Sequence, residues 1–160
     1  MKRAVFALAW LIVSPASAAA LSPDGIALEI KAHGAKAVVA RLWKSGDWDR
    51  VMDKVDAGDR RWIALVPLLA PGADAGTAEE LPIALAFALP HNPRAVLTVL
   101  AGKDGFRAED VCSAPFIEDT VRDIPGYLRS AKAAVARVSD PALASARADC
   151  LAQLRTAAAP

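Results

Sequence analysis

Apolar residues recur at helical spacing along most of the chain. Ala35, Val38, Val39 and Leu42 fall at positions i, i+3, i+4 and i+7, a spacing that is typical of an amphipathic α-helix with one buried face. Similar stripes occur at Trp48, Val51, Met52 and Val55, at Trp62, Val66 and Leu69, at Val96, Leu97, Val99 and Leu100, at Leu128, Ala131, Val135 and Val138, and at Leu143, Cys150, Leu151 and Leu154. The pattern therefore predicts a chain built mainly of helices.

Short stop-and-start signals separate these stripes. Gly46 and Gly58 are each followed by an aspartate, so each pair predicts the end of one helix and an N-cap, Asp47 or Asp59, for the next. The pairs 92–93 and 140–141 each place a capping side chain before a proline, which favours the first turn of a helix. Connections this short make neighbouring helices antiparallel or sharply angled.

The segment from Thr77 to Leu89 has almost no polar side chain after Glu80. Thr77 and Glu80 form a T-x-x-E pattern that predicts a capping box, and Pro82 predicts that the regular helix starts later or is kinked. Alternating apolar residues would also suit a strand, but the capping pattern and the alanines favour a helix. We expect this segment to be the central buried helix.

Composition supports an all-α fold. The chain has 37 alanines among 160 residues, a usage that favours helices over sheets. We expect either an irregular helical bundle or a short HEAT-like stack of antiparallel helices, ending in a C-terminal helical hairpin. Because no constant period of the length typical of such repeats is present, both alternatives stay open.

The pattern of the first 18 residues predicts a secretory signal peptide. A basic start at Lys2 and Arg3 precedes an apolar run over residues 4–13, and an A-x-A pattern ends at Ala18. The run is shorter than the roughly 20 residues that a membrane-spanning helix needs. We therefore expect cleavage near Ala18 after Sec export to the periplasm or beyond, which leaves one helical domain, residues 19–160, with no membrane span.

Charge argues against nucleic acid as a partner. The whole chain has a formal charge of +1, and the predicted mature chain retains 17 basic and 18 acidic residues. This balance gives no general electrostatic attraction to a polyanion.

Cys112 and Cys150 are the only cysteines, and both lie in the predicted mature chain. An exported protein meets an oxidising compartment, so we expect a disulfide between them rather than two buried thiols or a redox pair, for which the C-x-x-C spacing is missing. The bridge would fasten the segment around Cys112 to the C-terminal hairpin.

The block GDRRWIALVPLLAPGADAGTAEELPIALAFALPHNPRAVL is followed by one segment with a cysteine and by a last helix with the other. This arrangement, over residues 34–154, resembles exported helical proteins of proteobacteria that have no assigned activity. The resemblance implies an exported helical protein, and it implies no catalytic residue.

Tryptophan and arginine are concentrated between residues 41 and 62. If exposed, such side chains form interaction sites, but these tryptophans also lie on apolar stripes, which favours core positions. The residues of this predicted binding surface are Arg41, Trp43, Trp48, Arg60, Arg61 and Trp62.

Other polar clusters have simpler interpretations. Asp49, Asp53 and Asp56 lie opposite an apolar stripe and predict a solvated helix face rather than a metal site. Residues 118, 119, 122 and 123 form a charged cluster that predicts a surface ion pair. No pattern for a metal, a phosphate loop or haem attachment is present, so no cofactor is expected.

Taken together, these patterns favour an exported helical protein that binds a protein or another component of the cell envelope and has no catalytic activity. The alternative is a small envelope hydrolase or lyase with His91 as general base, because His91 lies beside a helix break where a substrate can reach it.

Overall fold

A computed structural model describes residues 21–103, 105–117 and 120–158. Within these ranges the chain forms α-helices and short 3-10 turns, with no strand, which confirms the predicted all-α fold. The predicted signal peptide lies outside the described residues. The α-helices are α1 (Pro23–His33), α2 (Ala35–Ser45), α3 (Asp47–Asp56), α4 (Arg60–Ile63), α5 (Val66–Leu69), α6 (Ala75–Ala88), α7 (Pro93–Leu100), α8 (Ala108–Val111), α9 (Ile124–Ala136) and α10 (Ala144–Thr156).

Most helix ends follow the predicted signals. Gly46 adopts the left-handed conformation, with φ of 72°, and ends α2. Asp59, Asn92 and Asp140 each accept a backbone N–H from the first turn of the helix that follows, and so satisfy donors that the helix itself leaves unpaired. One prediction at these ends is wrong: α3 begins at Asp47 itself, and the Asp47 carboxylate instead contacts Ser45 and Arg50.

Helix α6 begins one turn earlier than the sequence predicts. Asp74 is its N-cap: its carboxylate accepts the Thr77 N–H at 3.3 Å, and the Thr77 hydroxyl accepts the Asp74 N–H at 2.9 Å. Thr77 is therefore the third residue of the helix rather than its cap. The helix continues through Pro82, so the later start expected there is also wrong, while Glu80 accepts a hydrogen bond from the indole N–H of Trp48.

The predicted helix carrying Trp62, Val66 and Leu69 is divided into α4 and α5. Pro67 lacks the N–H that a continuous helix would donate to the carbonyl of Ile63, and its ring crowds that carbonyl. The chain therefore turns at residues 64 and 65. The stripe residues Trp62, Val66 and Leu69 stay buried, whereas Leu68 of α5 is exposed.

Helix α6 lies at the centre of the core, where it packs against α3, α7 and α8. Helix α10 packs against α7, α8 and α9, and its contact with α9 across a short connection fits the predicted C-terminal hairpin. Helices α6 and α10 thus contact helices that are not adjacent to them in sequence, an arrangement that fits the predicted irregular bundle. Among the helices that the structure describes, none combines the length and apolar composition needed to cross a membrane.

The predicted disulfide is present. Cys112 follows α8, Cys150 lies in α10, and their Cα atoms are 5.3 Å apart with both side chains fully buried. Beyond Cys112 the chain is held by Phe116, whose ring centre lies 4.6 Å from that of Phe87 and 4.7 Å from that of Tyr127. The Tyr127 hydroxyl donates to the carbonyl of Ala86, and burial raises the pKa of this phenol.

Candidate functional site

The three tryptophans of the predicted binding surface have different surroundings. Trp48 and Trp62 are core residues, with exposed fractions of 1% and 7%, as the core interpretation predicted. Trp43 is 57% exposed, so the core interpretation is wrong for this residue. It follows the buried Leu42 directly, and one residue in a helix turns the side chain by about 100°, which carries Trp43 off the apolar stripe.

Two of the three arginines form ion pairs with carboxylates of α1. The Arg41 guanidinium donates to both carboxylate oxygens of Glu29, at 2.5 and 2.6 Å, and Arg61 pairs with Asp24. Arg41 and Trp43 are two residues apart on α2 and so point to different sides. The predicted residues therefore do not form one continuous surface.

Arg60 lies at the rim of a groove between α4 and α7. The groove has a volume of about 260 Å³; Ile63, Ala95 and Val99 contribute apolar surface, and Arg94 and Thr98 line it from α7. We call it the apolar groove.

His91 lies on the other side of α7, in a pocket between the first turn of α7 and the C-terminal end of α9. The pocket has a volume of about 370 Å³, and its polar side chains are His91, Arg94, Arg137 and Ser139. We call it the basic pocket. Arg94 lines both the basic pocket and the apolar groove, so the two form a continuous region that we call the α7 surface.

The backbone next to His91 is fixed by contact with the turn between α3 and α4. The Asn92 side chain donates to the carbonyl of Gly58 at 2.9 Å and accepts the N–H of Ala95 at 3.2 Å. Gly58 has a φ of 81°, and a Cβ on it would lie 2.7 Å from the Cβ of His91. A glycine at this position thus lets the two turns meet, and the contact fixes where the His91 side chain leaves the backbone.

Positive charge in the basic pocket is only partly balanced. Arg94 pairs with one oxygen of Asp140 at 2.6 Å, and the other oxygen of Asp140 accepts the N–H of Ala142 at 3.0 Å. In the ranges that the structure describes, Arg137 makes no ion pair with a carboxylate. The pocket therefore presents an excess of cationic hydrogen-bond donors.

Asp56 departs from the predicted solvated face, whereas Asp49 and Asp53 are exposed as expected. One carboxylate oxygen of Asp56 is buried without a hydrogen-bond partner among the described residues. Loss of water around this carboxyl, together with the charge of Asp53, raises its pKa from 3.8 to about 6. The stripe spacing could not show this, because the burial comes from the packing of the end of α3.

The described residues contain no cluster of histidine, cysteine or carboxylate side chains suited to a metal ion. Of the charged cluster over residues 118–123, Asp123 caps α9 by accepting the N–H of Gly126 at 2.8 Å, Arg122 is exposed, and residues 118 and 119 lie outside the described ranges.

Sequence reasoning missed Arg94, Arg137 and Ser139. A local signal was present, since Arg94 follows the predicted cap at Asn92 and the other two precede the predicted cap at Asp140. Nothing in the sequence, however, indicated that these two helix ends meet.

No family model matches the chain, and no curated protein and no solved structure shows significant similarity to it.

Proposed function

We infer that the protein is an exported, non-catalytic binding protein that takes up a segment of a partner protein at the α7 surface. The observation that carries this proposal is that Arg94 lines both the apolar groove and the basic pocket, so that the two cavities are neighbours on the surface.

The two parts of the α7 surface suit different side chains of one segment. Apolar side chains gain most from a concave apolar groove, whereas charged rims supply specificity and speed the encounter. The arginines at the rim would repel a basic segment and attract an acidic one. The partner segment that fits is one in which an apolar residue lies beside an acidic residue.

Export is supported by two independent features. The basic start, apolar run and A-x-A pattern of residues 1–18 have the form of a signal peptide. The disulfide between Cys112 and Cys150 suits an oxidising compartment such as the periplasm.

Binding is favoured over hydrolysis at His91 because of the surroundings of its ring. A general base needs a nucleophile or water to activate and is commonly oriented by a third group. Among the described residues, the His91 ring forms no hydrogen bond to a carboxylate or to the Ser139 hydroxyl, and the nearby Asp140 is already engaged by Arg94 and Ala142.

A site-specific photo-crosslink tests the proposal. p-Benzoylphenylalanine replaces Thr98, at the rim of the apolar groove, in cells that produce the full chain. Thr156 on α10 is the matched control position, because both threonines are exposed and both hydroxyls donate to the carbonyl four residues earlier.

We expect one partner to be linked at position 98 and not at position 156. The linked peptide, identified by mass spectrometry, should contain an acidic residue beside an apolar one. Arg60→Glu should abolish the link, whereas Arg155→Glu on α10 should leave it intact. Equal linkage at both positions, or a link that survives Arg60→Glu, would contradict the proposal.

A further inference from the structure

The basic pocket draws its hydrogen-bond donors from two separate parts of the chain. His91 and Arg94 come from the start of α7, and Arg137 comes from the end of α9. Arg137 is the C-cap residue of α9, and a cation next to the C-terminus of a helix is favoured by the helix dipole. The dipole does not account for the convergence of this arginine with Arg94 and His91 around one concave space.

The donors in the pocket match an oxyanion. A guanidinium presents parallel N–H groups that fit the two oxygens of a carboxylate, and an imidazole N–H and a serine hydroxyl add single donors. Arg137 forms no contact with the Asp140 carboxylate, whose two oxygens accept from Arg94 and from the Ala142 N–H. A second carboxylate in the pocket would therefore pair with Arg137 without displacing an existing contact.

The rest of the pocket wall is apolar. Pro90, Pro93, Ala134 and Val138 surround the donors, so the pocket can hold the aliphatic stem of an acidic side chain as well as its charged end. The volume of about 370 Å³ is ample for such a side chain and lies near the lower end of the range for small-ligand sites.

We propose that the basic pocket binds the carboxylate of an acidic side chain on the partner, held between Arg137 and His91. This proposal rests on the proposed function, since it names the group that the α7 surface recognises. Ser139 adds a donor at the pocket edge, and Arg94 stays paired with Asp140 and shapes the wall shared with the apolar groove.

Nuclear magnetic resonance of the histidine side chains tests the proposal on the full, disulfide-bonded chain. The chain has two histidines, and His33 at the end of α1 serves as an internal control. The probes are N-acetylglutamate N-methylamide and N-acetylglutamine N-methylamide, which have nearly the same shape and differ in charge. All spectra are recorded at one constant pH.

We expect the glutamate compound to shift the His91 signals saturably and to leave those of His33 in place, while the glutamine compound shifts neither. Arg137→Gln should raise the dissociation constant about two- to fivefold, the size expected for one solvent-exposed charge contact. Arg129→Gln, also exposed on α9, should not change it.

Equal shifts with the two compounds would overturn the proposal, and so would equal shifts at both histidines. A response of His91 to inorganic phosphate without one to the glutamate compound would also overturn it, by assigning the pocket to phosphate. The comparison of the two probes needs no variant, so poor folding of Arg137→Gln cannot decide the outcome. The crosslink at position 98 reports on the apolar groove and can succeed while this test fails.

Discussion

Asp56 is the titratable residue whose surroundings depart furthest from those that the sequence predicts. Its pKa of about 6 in the folded protein lies above the unfolded value of 3.8, so the folded state binds the proton more tightly. The associated stability is fully present below about pH 4 and is lost as the pH rises through 6. A shift of this size corresponds to about 3 kcal/mol for a fully buried group, and partial exposure reduces it to about 1–2 kcal/mol.

Asp56→Asn should therefore stabilise the protein at pH 7 to 8 by about 1–2 kcal/mol and have little effect near pH 4, because asparagine cannot acquire the buried charge. Urea unfolding across this pH range measures the difference between the variant and the wild type. Asp49→Asn, on the exposed side of the same helix, is the control and should stay within about 0.5 kcal/mol at every pH. A difference at position 56 that does not vary with pH would contradict the raised pKa.

The tryptophans allow a second test at single residues. Trp48→Ala removes a fully buried indole and leaves Glu80 without its donor, so the free energy of unfolding should fall by about 3–5 kcal/mol. Trp43→Ala removes an exposed side chain and should change it by about 0.5 kcal/mol or less. Denaturant unfolding followed by circular dichroism distinguishes the two, and similar losses would mean that Trp43 is also buried.

At the scale of helices, local sequence predicted most ends, because a cap depends on side chains within three or four residues of the backbone groups that they satisfy. It failed at α6, where two capping patterns overlap and Asp74 with Thr77 prevails over Thr77 with Glu80. Glu80, which the sequence assigned to the cap, instead accepts a hydrogen bond from Trp48, a partner distant in sequence.

One close approach between elements also depends on packing. Gly72, in the 3-10 turn Ala70–Gly72, lies against the start of α2: a Cβ on it would be 2.3 Å from the carbonyl carbon of Ala35. Because backbone cannot move aside as a flexible side chain can, a larger residue here must separate the two elements.

Gly72→Ala should accordingly destabilise the protein by about 1–3 kcal/mol, the usual cost of overpacking. Gly76→Ala is the matched control: this glycine lies in α6 with open space around its Cβ position, so alanine should stabilise by about 0.5–1 kcal/mol through its helix preference. Thermal unfolding shows whether each variant is more or less stable than the wild type. A Gly72→Ala variant that is not destabilised would show that the contact at Gly72 is not tight.

At the scale of the whole molecule, the fold class follows from the periodicity and composition of the sequence, and the disulfide follows from the presence of two cysteines in a chain predicted to be exported. The α7 surface could not be predicted in this way. It depends on α7 packing between α4 and α9, and the sequence contains no local signal for which helix ends meet. His91 was found because it lies in a loop, whereas Arg137, at the end of a different helix, was not.

The disulfide should contribute substantially to stability. It closes a loop across a sequence separation of 38 residues, for which the loop-entropy estimate is about 4 kcal/mol. The double variant Cys112→Ala/Cys150→Ala should therefore unfold with a free energy lower by about 2–5 kcal/mol, and reduced wild-type protein should behave like it. A loss below about 1 kcal/mol would show that packing around Phe116 already fixes this part of the chain.

The covalent ring closed by the disulfide contains only some of the residues that line the basic pocket. Arg137 and Ser139 lie inside the ring that the bond closes, whereas His91 and Arg94 lie outside it. The bond ties the residue after α8 to α10, and α10 packs against both α7 and α9, the two helices whose ends form the pocket. A reduced chain lacks this constraint. We therefore expect reduction of the bond to weaken the binding of an acidic side chain at the basic pocket, even though neither cysteine lines it.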